Sequence, residues 1–253
     1  MSASQRQTPQ KNIPASTTAS LLAGRTALVT GASRGIGRAV ALRLAELGAR
    51  LLLVARDPAA LAAVKQEIVN LATAAEDLPC DLNSAAEIGA LASRVDAAGG
   101  CDILINAAGI GRIGAPLHEM PLEDFDAVLA TNLRAPFLLM RAVVPHMIAR
   151  GGGDIVNISS LAGQGPLANG AAYAASKWAL NGLSYSAAEE LRAHNIRVSV
   201  VAPGSVNTGF GRGGKDRKKM LQPEDVAGVV AMLVTQPPQS FISEVRMRPT
   251  QKP

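Results

Sequence analysis

Short runs of apolar residues alternate along this chain with longer stretches in which apolar positions recur at helical spacing. Runs that are apolar at successive positions predict strands buried on both faces, as in a parallel sheet. We predict strands at residues 26–29, 51–54, 102–105, 154–158, 196–201 and 244–247, and a short third strand that Asp81 closes. The longer stretches predict helices at residues 35–47, 58–71, 84–98, 121–149, 171–193 and 223–234.

This alternation of strands and helices predicts an α/β protein with a doubly wound Rossmann fold, in which helices flank a seven-stranded parallel sheet. A chain of 253 residues is long enough to bury one large core, so we predict a single domain over residues 23–253. Residues 1–22 are predicted to be a disordered tail, because the first twenty are rich in Ser, Thr, Gln and Pro and have no apolar periodicity. Ligands are expected at the carboxyl ends of the strands.

Composition and charge exclude several classes of protein. No apolar run approaches the ~18 residues that span a bilayer, so we expect no membrane association. The net charge of +5 is modest and only 3% of residues are aromatic, which argues against a nucleic-acid partner. The basic run at residues 212–219 is interpreted as a solvated loop, with a landing patch for an acidic substrate or carrier as the alternative.

The two cysteines, Cys80 and Cys101, share no close-spaced motif. We therefore expect neither a disulfide nor a metal site, and a reducing, cytoplasmic location.

The turn between the first strand and the first helix carries three closely spaced glycines, with the pattern G-x-x-x-G-x-G. Such a turn lets the backbone approach a pyrophosphate closely, while amides at the start of the next helix point at phosphate. The sequence therefore predicts a dinucleotide site there. The residues assigned to it are Gly31, Ser33, Arg34, Gly35, Ile36 and Gly37.

The end of the second strand indicates which dinucleotide binds. Where an NAD enzyme would place an acid, the chain reads Ala55 and Arg56. Arg56 and Arg34 can each donate charge-assisted hydrogen bonds to a 2′-phosphate, so we expect NADP(H). Asp57 precedes a proline and is explained as a helix N-cap. An NAD-specific enzyme remains the alternative.

A tyrosine and a lysine four residues apart form the candidate catalytic pair. Tyr173 and Lys177 lie on one helical face, and a nearby ammonium group favours the phenolate form of a tyrosine. Tyr173 could then act as the acid/base for a carbonyl or alcohol, while Ser160 donates a hydrogen bond to the same oxygen. Strand alternation favours Ser160 over Ser159 in this role.

Taken in order, these motifs resemble the short-chain dehydrogenase/reductase family, most closely its 3-oxoacyl-carrier-protein reductases. The resemblance is close over residues 25–208. It rests on residues 30–37, 81–82, 106–109, Asn132, Ser160, Tyr173, Lys177 and 203–208.

The resemblance implies further roles. Asn132 would bind a water near Lys177 and extend a proton relay, and family members often form tetramers or dimers through helices equivalent to 121–149 and 171–193. The implied cofactor contacts, beyond the glycine turn, are Arg56, Asp81, Leu82, Asn106, Ala107, Ala108, Gly109, Tyr173, Lys177, Pro203, Gly204, Val206 and Thr208.

The expected activity is NADP(H)-dependent interconversion of a ketone and a secondary alcohol, with a 3-oxoacyl thioester, carrier-linked or free, as the first substrate class. The ending at residues 242–249 lacks the glycine pair common in the family and looks more like members acting on small 3-hydroxy acids. Arg112 and Gln164 are the candidate polar contacts to substrate. A non-catalytic nucleotide-binding regulator is a third reading, because fold does not fix function.

Overall fold

The structure, a computed structural model, describes residues 21–210 and 216–253. Its strands are β1 (Thr26–Thr30), β2 (Arg50–Ala55), β3 (Ala75–Pro79), β4 (Ile103–Asn106), β5 (Gly153–Ile158), β6 (Ile196–Pro203) and β7 (Glu244–Met247). Its helices are α1 (Gly35–Glu46), α2 (Pro58–Val69), α3 (Ala85–Ala97), α4 (Leu122–Leu129), α5 (Ala135–Arg150), α6 (Ala171–Leu191) and α7 (Pro223–Val234). The strands pair in parallel in one seven-stranded sheet, in the order β3-β2-β1-β4-β5-β6-β7. The predicted doubly wound Rossmann architecture is confirmed.

Helices cover both faces of the sheet, which explains the uninterrupted apolar strands. Val29 and Leu53 pack on one face with residues of α1, α2 and α7, while Leu28 and Leu52 pack on the other with α3, α5 and α6. All four side chains are fully buried. Each such side chain contributes about 1.5–3 kcal/mol relative to exposure, so the alternating strand faces drive both layers together.

The chain reverses its winding direction beside β1. This strand pairs with β2 on one side and with β4 on the other. The crossover connections therefore leave a crevice at the carboxyl ends of β1 and β4, next to Thr30 and Asn106. A ligand of a doubly wound sheet binds at this kind of switch point.

Two predicted elements differ from the structure. The third strand ends at Pro79, so Asp81 lies in the following turn and does not close the strand. β3 is an edge strand that carries Glu76 and Asp77, and this polar sequence makes the ends of the strand hard to predict. The helix predicted at 121–149 consists of α4 and α5 joined by a π-helical segment, Ala130–Arg134.

This combined helix passes a membrane-span test by length and composition alone, contrary to the expectation of no such run. It extends over Leu122–Arg150, with a mean hydropathy of 1.4 and 44% of its most apolar window buried. Leu139, Val143 and Met147 of α5 pack into the core beside the sheet. The core helix of a globular protein can be equally long and apolar, and the contacts of Leu139, Val143 and Met147 are those of a core helix.

The predicted tail and basic loop fall partly outside the described residues. Residues 1–20 and 211–215 lie outside them. Leu22 is only 1% exposed and its amide donates to Leu47 O at 2.8 Å, so the folded part already includes residue 22. Of the basic run, Arg217–Lys219 forms a short exposed 3₁₀ turn.

Candidate active site

The glycine turn after β1 adopts a conformation that requires glycine. Gly31 and Gly35 have φ of +66° and +56°. A Cβ on Gly31 would lie 2.9 Å from Ala108 Cα, and one on Gly37 would lie 2.2 Å from Gly31 O. The turn is therefore pressed against both the loop after β4 and the start of α1, leaving its backbone bare toward the crevice, as a pyrophosphate site requires.

Thr30 joins this turn to the loop that follows β4. Its hydroxyl accepts hydrogen bonds from the amides of Ala107 and Ala108, both at 3.1 Å, and donates to Ile105 O at 3.3 Å. Thr30 is 1% exposed, so these bonds are shielded from water. Thr30 begins the motif at residues 30–37, but it was not predicted as a site residue. Its position at the end of a buried strand was an available signal.

Asn106, at the end of β4, is held from the neighbouring strand. Its amide donates to Asn157 Oδ1 on β5 at 2.8 Å, and Asn157 in turn donates to Ser184 on α6. The Asn106 Oδ1 atom is buried and has no protein partner among the described residues. A buried acceptor of this kind at the switch point suits a ligand donor.

Cationic side chains frame the entrance to the glycine turn. Arg34 precedes α1 and Arg56 follows β2; both are exposed, and neither side chain makes an ion pair or hydrogen bond within the described residues. The start of α1 also carries no side-chain cap. Asp57 accepts from the amides of Ala59 and Ala60 as the predicted N-cap of α2. Free guanidinium groups and uncapped amides are the donors that phosphates require, so the residues present fit an NADP-type dinucleotide.

The remaining predicted cofactor contacts follow β3 and β6. Asp81 accepts from Asn83 N at 3.0 Å in the turn after β3, and Leu82 beside it is buried. At the other end, Gly204 N follows β6 and donates to Met247 O at 2.9 Å, while Val206 forms an isolated bridge with Leu221.

Thr208 is the last of the predicted cofactor contacts that follow β6. It lies against the glycine turn, where a Cβ on Gly35 would be 3.1 Å from Thr208 Cγ2. Pro203, Gly204, Val206 and Thr208 are thereby brought to one edge of the sheet with the glycines.

Tyr173, Lys177 and Ser160 meet beside that edge. Tyr173 and Lys177 lie one turn apart on α6 and are 8% and 4% exposed. Lys177 Nζ is 5.8 Å from the Tyr173 ring centroid and donates to Ile158 O at 2.9 Å. Ser160 begins a 3₁₀ turn, accepts from Ala162 N at 3.1 Å, and lies close enough to the Tyr173 phenol for its hydroxyl to lower the pKa of that group. The predicted catalytic trio is therefore assembled by β5 and α6.

The protonation of this trio is dominated by burial. Burial raises the pKa of Tyr173, and the hydrogen bond from Ser160 acts in the opposite direction. Burial lowers the pKa of Lys177 to about 8. The hydrogen bond from Ser160 favours the phenolate in this structure, and the role of Lys177 in favouring it stays a prediction.

Asn132 lies in the π-helical segment and is fully buried. Its Oδ1 accepts from Ile110 N, and its Nδ2 donates to Ile110 O, both at 2.9 Å, and to Ser176 Oγ at 3.0 Å. A Cβ on Gly109 would lie 3.3 Å from Asn132 Oδ1 and 3.8 Å from Lys177 Nζ, so these residues border one another. The proton relay through a water stays a prediction.

Ser176 belongs to this network, although it was not predicted as a site residue. It receives the bond from Asn132 and donates to Tyr173 O at 2.7 Å, at zero exposure. Its place one residue before Lys177, on the buried side of a helix, was the available signal. Ser176 links the π segment to the helical turn that carries the catalytic pair.

The two predicted polar contacts to substrate are engaged within the protein. Arg112 pairs with Asp124 at 3.1 Å, and Gln164 donates to Glu244. Trp178, which follows Lys177 on α6, is 55% exposed.

This geometry defines a Rossmann-type oxidoreductase, with a dinucleotide cradle at the switch point and a Ser-Tyr-Lys acid/base set beside it. The family model for short chain dehydrogenase matches residues 25–219. The chain belongs to the short-chain dehydrogenase/reductase family.

Individual relatives share most of the chain. A D-threitol dehydrogenase of Mycolicibacterium smegmatis is 39% identical over 75% of this chain and 73% of its own length. Among solved structures, a metagenomic short-chain oxidoreductase in complex with NADP is 55% identical, with a TM-score of 0.82, over 92% of this chain and all of its own. A 3-oxoacyl (acyl-carrier-protein) reductase of Agrobacterium tumefaciens with NADP bound is 31% identical, with a TM-score of 0.83, over 94% and 98%.

Proposed function

We propose that this protein is an NADP(H)-dependent oxidoreductase that interconverts a ketone and a secondary alcohol. The observation that carries the proposal is the convergence of Ser160, Tyr173 and Lys177 beside the glycine turn. A non-catalytic regulator would not need this set, in which the phenol, the hydroxyl and the ammonium lie together at a strand end.

The residues act on the substrate oxygen. Ser160 and Tyr173 hold the carbonyl oxygen by hydrogen bonds, and Tyr173 gives its proton to that oxygen during reduction or takes it back during alcohol oxidation. Lys177 lies close enough to stabilise the phenolate that results. When bound, the nicotinamide cofactor supplies or accepts the hydride.

The preference for NADP(H) rests on Arg34 and Arg56. Both guanidinium groups are exposed at the cradle and unpaired within the described residues, and Asp57 is occupied as a helix cap. The NADP-bound relatives described above support the same cofactor. Replacing Arg56 with Ala should weaken NADPH binding roughly ten- to hundred-fold, the value of a hydrogen bond to a charged group, and leave NADH binding unchanged.

For the substrate, we propose a 3-oxoacyl thioester, carrier-linked or free. The 3-oxoacyl reductase relative and the small, largely apolar residues after Ser160 support this class. A dehydrogenase of small 3-hydroxy acids is the second candidate, because the ending at residues 242–249 departs from the reductase pattern and the threitol dehydrogenase relative acts on a small polyhydroxy compound.

A substrate panel tests these alternatives. NADPH oxidation would be followed with 3-oxoacyl thioesters and simple ketones, and NADP⁺ reduction with 3-hydroxy acids and polyols. Turnover of the thioesters at the highest kcat/KM supports the first class, and turnover of the acids or polyols alone transfers the proposal to the second. Absence of turnover in all four sets, despite NADPH binding, contradicts the enzyme proposal.

We further propose a cytoplasmic homo-oligomer. Both cysteines are buried and unpaired, which suits a reducing compartment. An apolar groove of about 800 Å³ along α4 and α5 includes Phe137, which is 46% exposed, and is flanked by Asp126 and Arg134. In a two-fold contact the same patch meets itself, so the acid of one copy can face the base of the other.

A further inference from the structure

The catalytic tyrosine has an aromatic neighbour that no motif of the chain predicts. The Phe210 ring lies 5.6 Å from the Tyr173 ring, centroid to centroid, at an interplanar angle of 53°. Tyr173 is 8% exposed, whereas Phe210 is 43% exposed. Phe210 therefore lies between the catalytic ring and solvent.

The backbone at Gly111, which faces Phe210, leaves room for the Phe210 ring. A Cβ on Gly111 would lie 3.2 Å from Phe210 Cε1 and 3.4 Å from Cζ, closer than carbon atoms pack comfortably. The same Cβ would lie 3.3 Å from Ile113 Cδ1. Residue 111 thus has room for glycine only while Phe210 and Ile113 keep their positions.

Two loops are joined behind this contact. Gly114 N donates to Asn169 O at 2.7 Å, and a Cβ on Gly170 would lie 3.6 Å from Ile113 Cγ1 and 2.6 Å from Leu167 Cδ2. Gly170 immediately precedes α6, the helix that carries Tyr173. The loop that carries Ile113 is therefore packed against the segment that leads into α6, next to the contact between Phe210 and Gly111.

Phe210 is also held from the cofactor side. Its amide donates to Thr208 Oγ1 at 3.3 Å, and Thr208 lies against Gly35 of the glycine turn. Its position is thus fixed both by the cradle and by the loop after β4.

We propose that Phe210 is a specificity-determining residue: it shields the Tyr173 phenol from water and limits the size of the substrate substituent that lies on its side of the carbonyl. Only the limit on substituent size rests on the proposed oxidoreductase function. An apolar ring beside a buried phenol excludes water whether or not a substrate is present. Among the described residues, the only charged group that the contacts place against Tyr173 is Lys177, on the same helix, and the hydroxyl of Ser160 approaches it from the 3₁₀ turn after β5.

The first test needs no turnover, because the chain has only two tyrosines. In a Tyr185→Phe background, ultraviolet titration reports Tyr173 alone. Burial raises the pKa of Tyr173, so Phe210→Ala should lower it toward the ordinary value, while Phe210→Leu, which keeps an apolar cover, should leave it nearly unchanged. Circular dichroism at each pH confirms that the variants remain folded. An unchanged titration in Phe210→Ala overturns the shielding.

The second test uses ketone pairs that differ in one substituent, methyl against phenyl. The ratio of kcat/KM for the bulky to the small ketone should rise roughly tenfold in Phe210→Ala, as for other single-group changes in an apolar pocket. Gly111→Ala, which displaces the Phe210 ring, should move the ratio the same way but less. Ile148→Ala, an exposed apolar position at the far end of α5, serves as the control.

The outcomes separate the two levels of the proposal. Turnover by the wild type with an unchanged ratio in Phe210→Ala contradicts the size limit, even though the enzyme proposal holds. If the wild type turns over neither ketone, the enzyme proposal is what fails for this class, and the titration still decides whether Phe210 shields Tyr173.

Discussion

Lys177 places an ammonium group in an almost fully buried position on α6, with Ile158 O as its hydrogen-bond acceptor at 2.9 Å. A buried cation with one neutral acceptor is costly to the folded state, and this cost appears as a pKa lowered to about 8. Lys177 therefore lowers the stability of the fold at neutral pH, a cost that the proposed role beside Tyr173 would explain.

Lys177→Met tests this separation of activity from stability. The variant should lose most of its turnover because the phenolate is no longer stabilised, yet unfold at a Tm equal to or above that of the wild type at pH 7. The folded lysine releases its proton near pH 8, whereas the unfolded one keeps it to about pH 10.5. Wild-type stability should therefore rise across that interval and the gap between the two proteins should narrow. A Tm well below that of the wild type would show that Lys177 stabilises the fold.

At the scale of elements, Glu244 ties three of them together. It lies at the start of β7 and accepts from Tyr185 on α6 at 2.7 Å and from Gln164 in the turn after Ser160. Burial, followed by this carboxylate, raises the pKa of Tyr185 to about 12, so the phenol remains a donor at neutral pH. The turn that leaves Ser160 is thereby anchored to both a strand and a helix.

Glu244→Ala should destabilise the protein by about 1–2 kcal/mol, the range for lost hydrogen bonds to a partly exposed charged group. Glu244→Gln should recover part of this loss, because its amide can still accept from one partner and donate to the other. Urea unfolding of the three proteins measures the difference. Equal midpoints for the wild type and the Ala variant would show that the cluster contributes nothing.

Local patterns predicted most elements because the central strands are buried on both faces and are therefore apolar at successive positions. The end of the edge strand β3 was mispredicted, because its Glu76 and Asp77 are partly solvated and interrupt the apolar pattern. The π segment around Asn132 has no periodicity of its own, so the sequence predicted one uninterrupted helix.

The site residues were predicted where a turn or helical spacing constrains them. Gly31, Gly35, Tyr173 and Lys177 are of this kind. The contacts that arise only in three dimensions were missed: Phe210 on Tyr173, and Ser176 bound to Asn132. Their partners come from distant parts of the chain, so no motif in the sequence pairs them.

At the scale of the whole molecule, the exposed apolar groove on α4 and α5 predicts self-association. Phe137→Asp should shift the protein from an oligomer toward the monomer in light scattering, because a carboxylate would be buried in the contact without a partner. Ile148→Asp, outside the groove, is the matched control. A monomeric wild type at micromolar concentration would contradict the proposed interface.

The central claim, that Tyr173 transfers the proton in an NADP(H)-dependent carbonyl reduction, is tested most directly by comparing the wild type with Tyr173→Phe. Both proteins should bind NADPH with similar affinity, since the glycine turn and the two arginines are unchanged. Turnover of the best ketone in the panel should fall by ~10²–10⁴-fold in the variant, the usual contribution of a positioned acid/base. Tyr173→Phe turning over at the wild-type rate would contradict the account.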